Sequence, residues 1–381
     1  MKLQTSQLRI FILTGILLLN LYGFAQNPNF HIYLCFGQSN MEGQGTIEAQ
    51  DRTVNSRFKV MQAVNCSNLG RTKGKWYTAV PPLCRCWSRL SPADYFGRTM
   101  IENLPANISV GVVNVSVAGC KIELFDKVNY QKYTATITED WLKNIIAEYN
   151  GNPYAHLVEV AKLAQKDGVI KGILLHQGES NTGDSQWPAK VKAIYNNLIT
   201  DLGLNPDSVP LLAGEVVHAD QGGLCASMNS IIAKLPQTLP NSFVISSSKC
   251  TDAADNIHFN SAGYRELGKR YARKMLSIMG ILPTAVQEIQ LNETDRYKLE
   301  HNYPNPFSGN TVISFRIPEN SFVSLKVYNM LGVEIAELAG KRFEPGSHTV
   351  EFDSGKLPKG KYFYRIESSN FSATLGMTVI K

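Results

Sequence analysis

Across residues 27–280, continuous apolar runs alternate with amphipathic segments, and this rhythm limits the fold more than any other feature of the chain. A strand buried on both faces reads as an unbroken apolar run, and only a parallel sheet with helices on both sides buries its strands that way. The candidate strands are 31–36, 109–117, 172–175, 209–216 and 243–246. Helical patterns fill the intervals at 154–165 and 189–202. A last helix opens near Ser261 and puts Tyr264, Leu267, Tyr271 and Met275 on one side at spacings of three and four, with Asn260 and Ser261 as cap candidates. The reading is a three-layer α/β/α domain over residues 27–280.

From 283 the texture becomes more polar, so residues 281–298 read as a linker. Beyond it TVISFRIP, VSLKVYNM, HTVEFD, KYFYRIE and ATLGMTVIK each alternate with period two, with glycines between them as turns require. Residues 299–381 are expected to form a small β-sandwich.

The start of the chain is an address. Lys2 and Arg9 lead into FILTGILLLNLYGFA, which ends in the small-x-small triplet Gly23-Phe24-Ala25, and residues 1–25 read as a secretory signal peptide. The apolar stretch falls short of the roughly 20 residues of a membrane span and Asn20 interrupts it, so no transmembrane segment is expected in the mature protein. Removing the two cations Lys2 and Arg9 takes the formal net charge from +6 to +4, too small a surplus to argue for nucleic acid. Export permits disulfides among the seven cysteines, and the odd count leaves at least one thiol free. Cys66 can bridge to Cys84 or to Cys86; Cys35 and Cys120 close apolar runs and read as buried small hydrophobes. No cysteine, histidine and carboxylate set has metal-ligand spacing, and neither metal nor cofactor is expected.

The chemistry collects at the ends of the strands. In an open parallel sheet, ligands gather beyond the strand C-termini. Ser39, in FGQSNMEGQG, follows the first strand; Ala118-Gly119 follows the second; His176-Gln177-Gly178-Glu179 follows the third; Asp255 and His258, in DNIHFN, follow the fifth. A serine hydroxyl needs a base to take its proton, and the base needs an acid to fix its tautomer. Ser39, His258 and Asp255 supply those types. Acyl transfer also needs donors for the developing oxyanion; Ser39 and Gly119 offer backbone N–H groups and Gln177 a side-chain amide. Glu179 reads as a supporting residue. His218 is the rival base and Asp252 the rival acid. Trp76, Tyr77 and Trp87, in an insertion after the first strand, are candidates for stacking on sugar rings or for pinning that loop.

FGQSNMEGQG, LSPADYFGRTM, VGVVNVSVAGCKIELF, LLHQGES and DNIHFNSAGYRELGKRYA, in that order, resemble the sialate O-acetylesterase-like domain of carbohydrate esterase family six, within the SGNH hydrolases. The resemblance implies a Ser39 nucleophile, a His258 base oriented by Asp255, and an oxyanion hole of Ser39, Gly119 and Gln177. Gln177 stands where the general SGNH pattern has asparagine. The expected activity is hydrolysis of acetyl esters on polysaccharide, acetylxylan foremost, with sialate 9-O-acetylesterase or a silent glycan-binding module as alternatives. Separately, LEHNYPNPFSGNTVISFRIPENSFVSLKVYNMLG, PGSHTVEFD, LPKGKYFYRIES and TLGMTVIK resemble the C-terminal sorting domain of the type IX secretion system. That resemblance implies the secretion machinery as partner, passage through the periplasm and outer membrane of a Bacteroidetes-type bacterium, and a released or surface-bound product.

Overall fold

Strand β1 (Asn27–Gly37) divides its side chains between two cores: Ile32, Leu34 and Phe36 enter one, Tyr33 and Cys35 the other. Both sets are fully buried, which is why the run carries no polar residue in its middle. The computed structural model describes residues 26–281 and 297–380, apart from 331, 356, 369 and 370. The signal expected over 1–25 lies outside the described residues, as does most of the linker expected over 281–298. The chain divides into two compact units at Thr284/Ala285.

The first unit is built on β1, β2 (Phe58–Met61), β3 (Trp76–Thr78), β4 (Ser109–Ser116), β5 (Gly168–His176), β6 (Leu211–Gly214) and β7 (Ser242–Ile245) in the order β3-β2-β4-β1-β5-β6-β7. All neighbours are parallel except the antiparallel edge pair β2/β3. That pair is absent from the sequence reading because FKVM and WYT are too short to show a period.

The short helix α1 (Ser39–Glu42) follows β1, and α2 (Pro92–Asn103) leads into β4. Then come α3 (Asp140–Glu148), α4 (Pro153–Ala164), α5 (Trp187–Leu202) and α6 (Ser261–Ile278). The buried sides of α3, α4 and α5 share a core with Ile32, Leu34 and Phe36; α2 and α6 share the opposite one with Tyr33 and Cys35. This is a three-layer α/β/α architecture. On α6, Tyr264, Leu267, Tyr271 and Met275 are buried as their spacing requires, and Asn260 caps the helix by accepting the Gly263 N–H at 2.9 Å. Cys66 bridges Cys86, while Cys35, Cys84, Cys120 and Cys250 are buried thiols.

The described part of the second unit is built of two antiparallel sheets. A four-stranded sheet contains Ser321–Tyr328, Glu334–Phe343, Gly360–Ser368 and Phe371–Val379; a three-stranded sheet contains Lys298–Leu299, Asn310–Ile317 and Gly346–Asp353. They close over their own core, which includes Phe307, Phe315, Leu325, Tyr364 and Ile366.

Candidate active site

Gly37 lets β1 end where it does. Its φ is +150°, and a Cβ there would lie 2.0 Å from the His176 carbonyl oxygen, so no other residue fits between β4 and β5. The Gln38 N–H then donates to His176 O at 3.0 Å and the chain turns into α1, setting Ser39 at the C-terminal edge of the sheet. The Ser39 N–H, in the first turn of that helix, has no acceptor within it.

The 252–259 loop brings His258 to this edge. Asp255 organises it: Oδ1 accepts the Ile257 N–H at 3.0 Å and the His258 N–H at 2.9 Å, and Oδ2 lies 2.7 Å from His258 Nδ1. Burial works to raise the Asp255 carboxyl, but the bonds from the His258 ring and from the His258 and Ile257 backbone outweigh it, and its pKa falls below the ordinary 3.8. An ionised carboxylate only accepts, so Nδ1 carries the imidazole proton. Nε2 is therefore the acceptor, and Ser39 Oγ donates to it at 2.8 Å. His218 stays apart, 3.3 Å from Asp220 in its own loop. Asp252 bridges Phe259 through the backbone.

Gly119, at φ +71°, sits under the Trp141 ring, where a Cβ would come within 2.5 Å of the indole. Its N–H has no protein acceptor among the described residues. The preceding Ala118 N–H donates to Glu42 Oε2 at 2.7 Å, and Glu42 is held in turn by Arg85 at 2.9 Å. The loop that presents Gly119 is thus tied to a buried ion pair.

Gln177 corrects an expectation. Its amide is fully buried and faces inward: Nε2 meets Asn181 Oδ1 at 2.7 Å, Gln38 Oε1 at 3.1 Å and Cys120 O at 3.3 Å, while Oε1 accepts from Trp187 Nε1 at 2.5 Å. Two N–H groups with three internal acceptors leave nothing for an oxyanion. Gln38 is the amide that the sequence reading passes over. Its Oε1 also accepts from Gly178 N at 3.4 Å and Ser180 N at 3.3 Å, and these backbone donors fix which end is oxygen. Gln38 Nε2 is left without an acceptor among the described residues.

Gln38, Ser39, Gly119, Trp141, Glu179 and His258 line a pocket of about 350 Å³, with Gln44, Ala118, Ser180, Cys225 and Ile257. Gln177 is not on its wall. Glu179 is buried beneath, with Oε1 bonded to Asn40 Nδ2 and 3.7 Å from His176 Nε2; burial raises its carboxyl. His176 is driven the other way, to about 3, by burial and then by the charge of His258. Of the candidate stacking residues, Trp76 packs edge-on against Phe30 at 4.7 Å and donates to Asp167 at 2.9 Å. Tyr77 accepts the Thr72 N–H at 2.9 Å beneath Arg71. Trp76 pins the insertion to the body, Tyr77 ties the insertion to itself and packs against the core, and neither lines the pocket. Trp87 is 77% exposed. Trp141 lies off the apolar side of α3, the one sign in the sequence that it serves something other than the core.

Residues 29–277 match the family described as carbohydrate esterase, sialic acid-specific acetylesterase. The chain belongs to this acetylesterase family. It is therefore a carboxylic ester hydrolase, and its C-terminal unit matches the secretion system C-terminal sorting domain over residues 301–381. This acetylesterase is thus addressed to type IX secretion, outside the cell or at its surface. A solved Arabidopsis thaliana protein shares the fold at 20% identity and a TM-score of 0.50, covering 66% of this chain and 99% of its own. NanS is similar at 17% identity and a TM-score of 0.48, over 66% of this chain and 98% of its own. Among the described residues, no helix is long and apolar enough to cross a membrane.

Proposed function

We propose that this chain is a secreted carbohydrate O-acetylesterase that removes acetyl groups from a neutral polysaccharide, acetylxylan foremost, through an acyl-enzyme on Ser39. The observation that carries the reading is the continuous relay from Asp255 through His258 to Ser39 Oγ beside a donor left free at Gly119.

In this reading His258 Nε2 takes the Ser39 proton as Oγ bonds to the acetyl carbonyl carbon. The oxyanion then receives the N–H groups of Ser39 and Gly119 and, in place of Gln177, the Gln38 Nε2. Each such donor is worth about 3 kcal/mol of transition-state stabilisation. Collapse of the intermediate breaks the bond to the sugar oxygen, which takes the proton from His258 and leaves as the alcohol. Water repeats the sequence on acetyl-Ser39, giving its proton to His258 and releasing acetate. Ionised Asp255 holds the imidazolium in place throughout.

The amides and hydroxyls of Gln38, Gln44, Ser39 and Ser180 suit the hydroxyls of a neutral sugar. Among the described residues that line the pocket there is no lysine or arginine to pair with the carboxylate of a sialic acid. The family description favours the sialate alternative, and the two are separated by measuring acetate release from acetylxylan and from 9-O-acetylated sialic acid in parallel. Faster turnover of acetylxylan is expected. Turnover of the sialate alone would reverse the substrate assignment, and release from neither, nor from an aryl acetate, would overturn the reading. Export through periplasm and outer membrane in a Bacteroidetes-type cell completes the proposal.

A further inference from the structure

Two tryptophans are bare on the catalytic unit, Trp141 at 52% exposure and Trp87 at 77%. Trp141 stands in the first turn of α3, lines the pocket with Ser39 and His258, and rests its ring on Gly119. Seven residues further, on the same side of the helix, Glu148 accepts from Arg85 Nη1 at 2.6 Å. Arg85 opens the turn 85–88 that carries Trp87: the Ser88 N–H donates to Arg85 O at 3.2 Å, and Ser88 Oγ accepts the Arg85 N–H at 3.1 Å. The turn is held rigid by the Cys66–Cys86 disulfide and by Arg85 Nη2 on Glu42 at 2.9 Å.

Trp141 and Glu148, the residue that holds Arg85, therefore stand about 10 Å apart along α3 at 1.5 Å per residue, and the turn that carries Trp87 lies beyond Glu148 by the reach of the Arg85 side chain. An indole on a fixed backbone offers a large flat face at low ordering cost on binding. The apolar C–H face of a pyranose ring fits it.

We propose that Trp141 and Trp87 form a two-point platform for a linear neutral glycan. The acetylated sugar stacks on Trp141 beside Ser39, and another sugar of the same chain stacks on Trp87. The enzyme then recognises a stretch of polysaccharide rather than a single sugar. Which sugar presents the ester rests on the esterase reading above; binding of the chain does not.

The test is a titration of full-length Ser39→Ala protein with unacetylated xylo-oligosaccharides of increasing length, followed by calorimetry. Affinity should rise about tenfold or more between the monosaccharide and the longer chains, the gain of one added aromatic contact. Adding Trp87→Ala should remove that gain. Adding Trp141→Ala should weaken every length by about tenfold and Trp141→Phe should restore part of it. Affinity independent of length, or a Trp87→Ala protein that keeps the full gain, overturns the platform. Aryl-acetate turnover by the unmutated enzyme is measured beside it, so that failure of the esterase reading registers separately from failure of chain binding.

Discussion

Asn40 Nδ2 donates to Ile257 O at 3.0 Å, joining the residue after Ser39 to the residue before His258 across 217 positions of chain. The same amide nitrogen reaches Glu179, while Asn40 Oδ1 accepts from Tyr264 Oη at 2.5 Å and from the Phe259 N–H at 3.4 Å. One fully buried side chain thereby sets the distance between Ser39 and His258. Asn40→Ala is expected to lower kcat about 10²-fold with little change in KM, because misplacement rather than lost binding is the fault. Steady-state kinetics on an aryl acetate check this. A rise in KM with kcat preserved would assign Asn40 to substrate binding instead.

The two glutamines should separate by substitution. Gln38→Glu keeps an oxygen for the Gly178 and Ser180 N–H groups but replaces the free donor with an anion, so kcat should fall about 10²-fold or more while the fold stays intact. Gln177→Ala instead strands the buried Trp187 indole N–H, at about 1–3 kcal/mol, and should show first in urea denaturation. Kinetics and denaturation on both variants give the contrast, and the reverse pattern would return the oxyanion role to Gln177.

The location of these residues is legible in the sequence to different depths. Ser39, Gly119, Asp255 and His258 end strands or lie in loops just beyond them, and sheet topology gathers such positions at one edge. Which way an amide faces is decided by packing: Gln177 turns inward because Trp187 and Asn181, on the following helical turns, supply its partners. Trp76 and Tyr77 belong to an edge strand whose pairing with Lys59–Met61 only the fold reveals. In the second unit, EIAELAGKRF is a half-exposed strand whose charges hide its period.

Asp94 predicts a pH dependence of stability. Its Oδ2 accepts from the Ser91 N–H at 2.9 Å and Ser91 Oγ at 3.2 Å, but Oδ1 meets no donor among the described residues, and burial pushes the carboxyl up to about 7 against the opposing pull of Ser91 and Arg98. A carboxyl raised in the folded state binds its proton more tightly there than in the unfolded chain. Its contribution is full below the unfolded value of 3.8 and is lost as pH rises through about 7. Asp94→Asn, which mimics the protonated form, should therefore gain in Tm relative to the unmutated protein as pH rises across that window. Thermal melts at a series of pH values check it; a constant difference would contradict it.

Each unit closes a hydrophobic core of its own. A chain truncated after Ile281 should fold and hydrolyse an aryl acetate at the full-length rate in a neutral host, and should fail to leave a cell that exports the full chain by type IX secretion. Secretion assays and kinetics on the two proteins check both halves. Lost turnover in a folded truncated protein would mean that the second unit takes part in catalysis.

The proposed function requires Ser39 to be the activated nucleophile. Reaction of the full-length protein with an aryl fluorophosphonate, followed by peptide mass mapping, reads that directly. A single adduct is expected on the peptide that contains Ser39, with none in Ser39→Ala and a reaction slowed about 10²-fold or more in His258→Ala, where no base remains to take the proton. An adduct on another residue, or undiminished acetate release by Ser39→Ala, would contradict it.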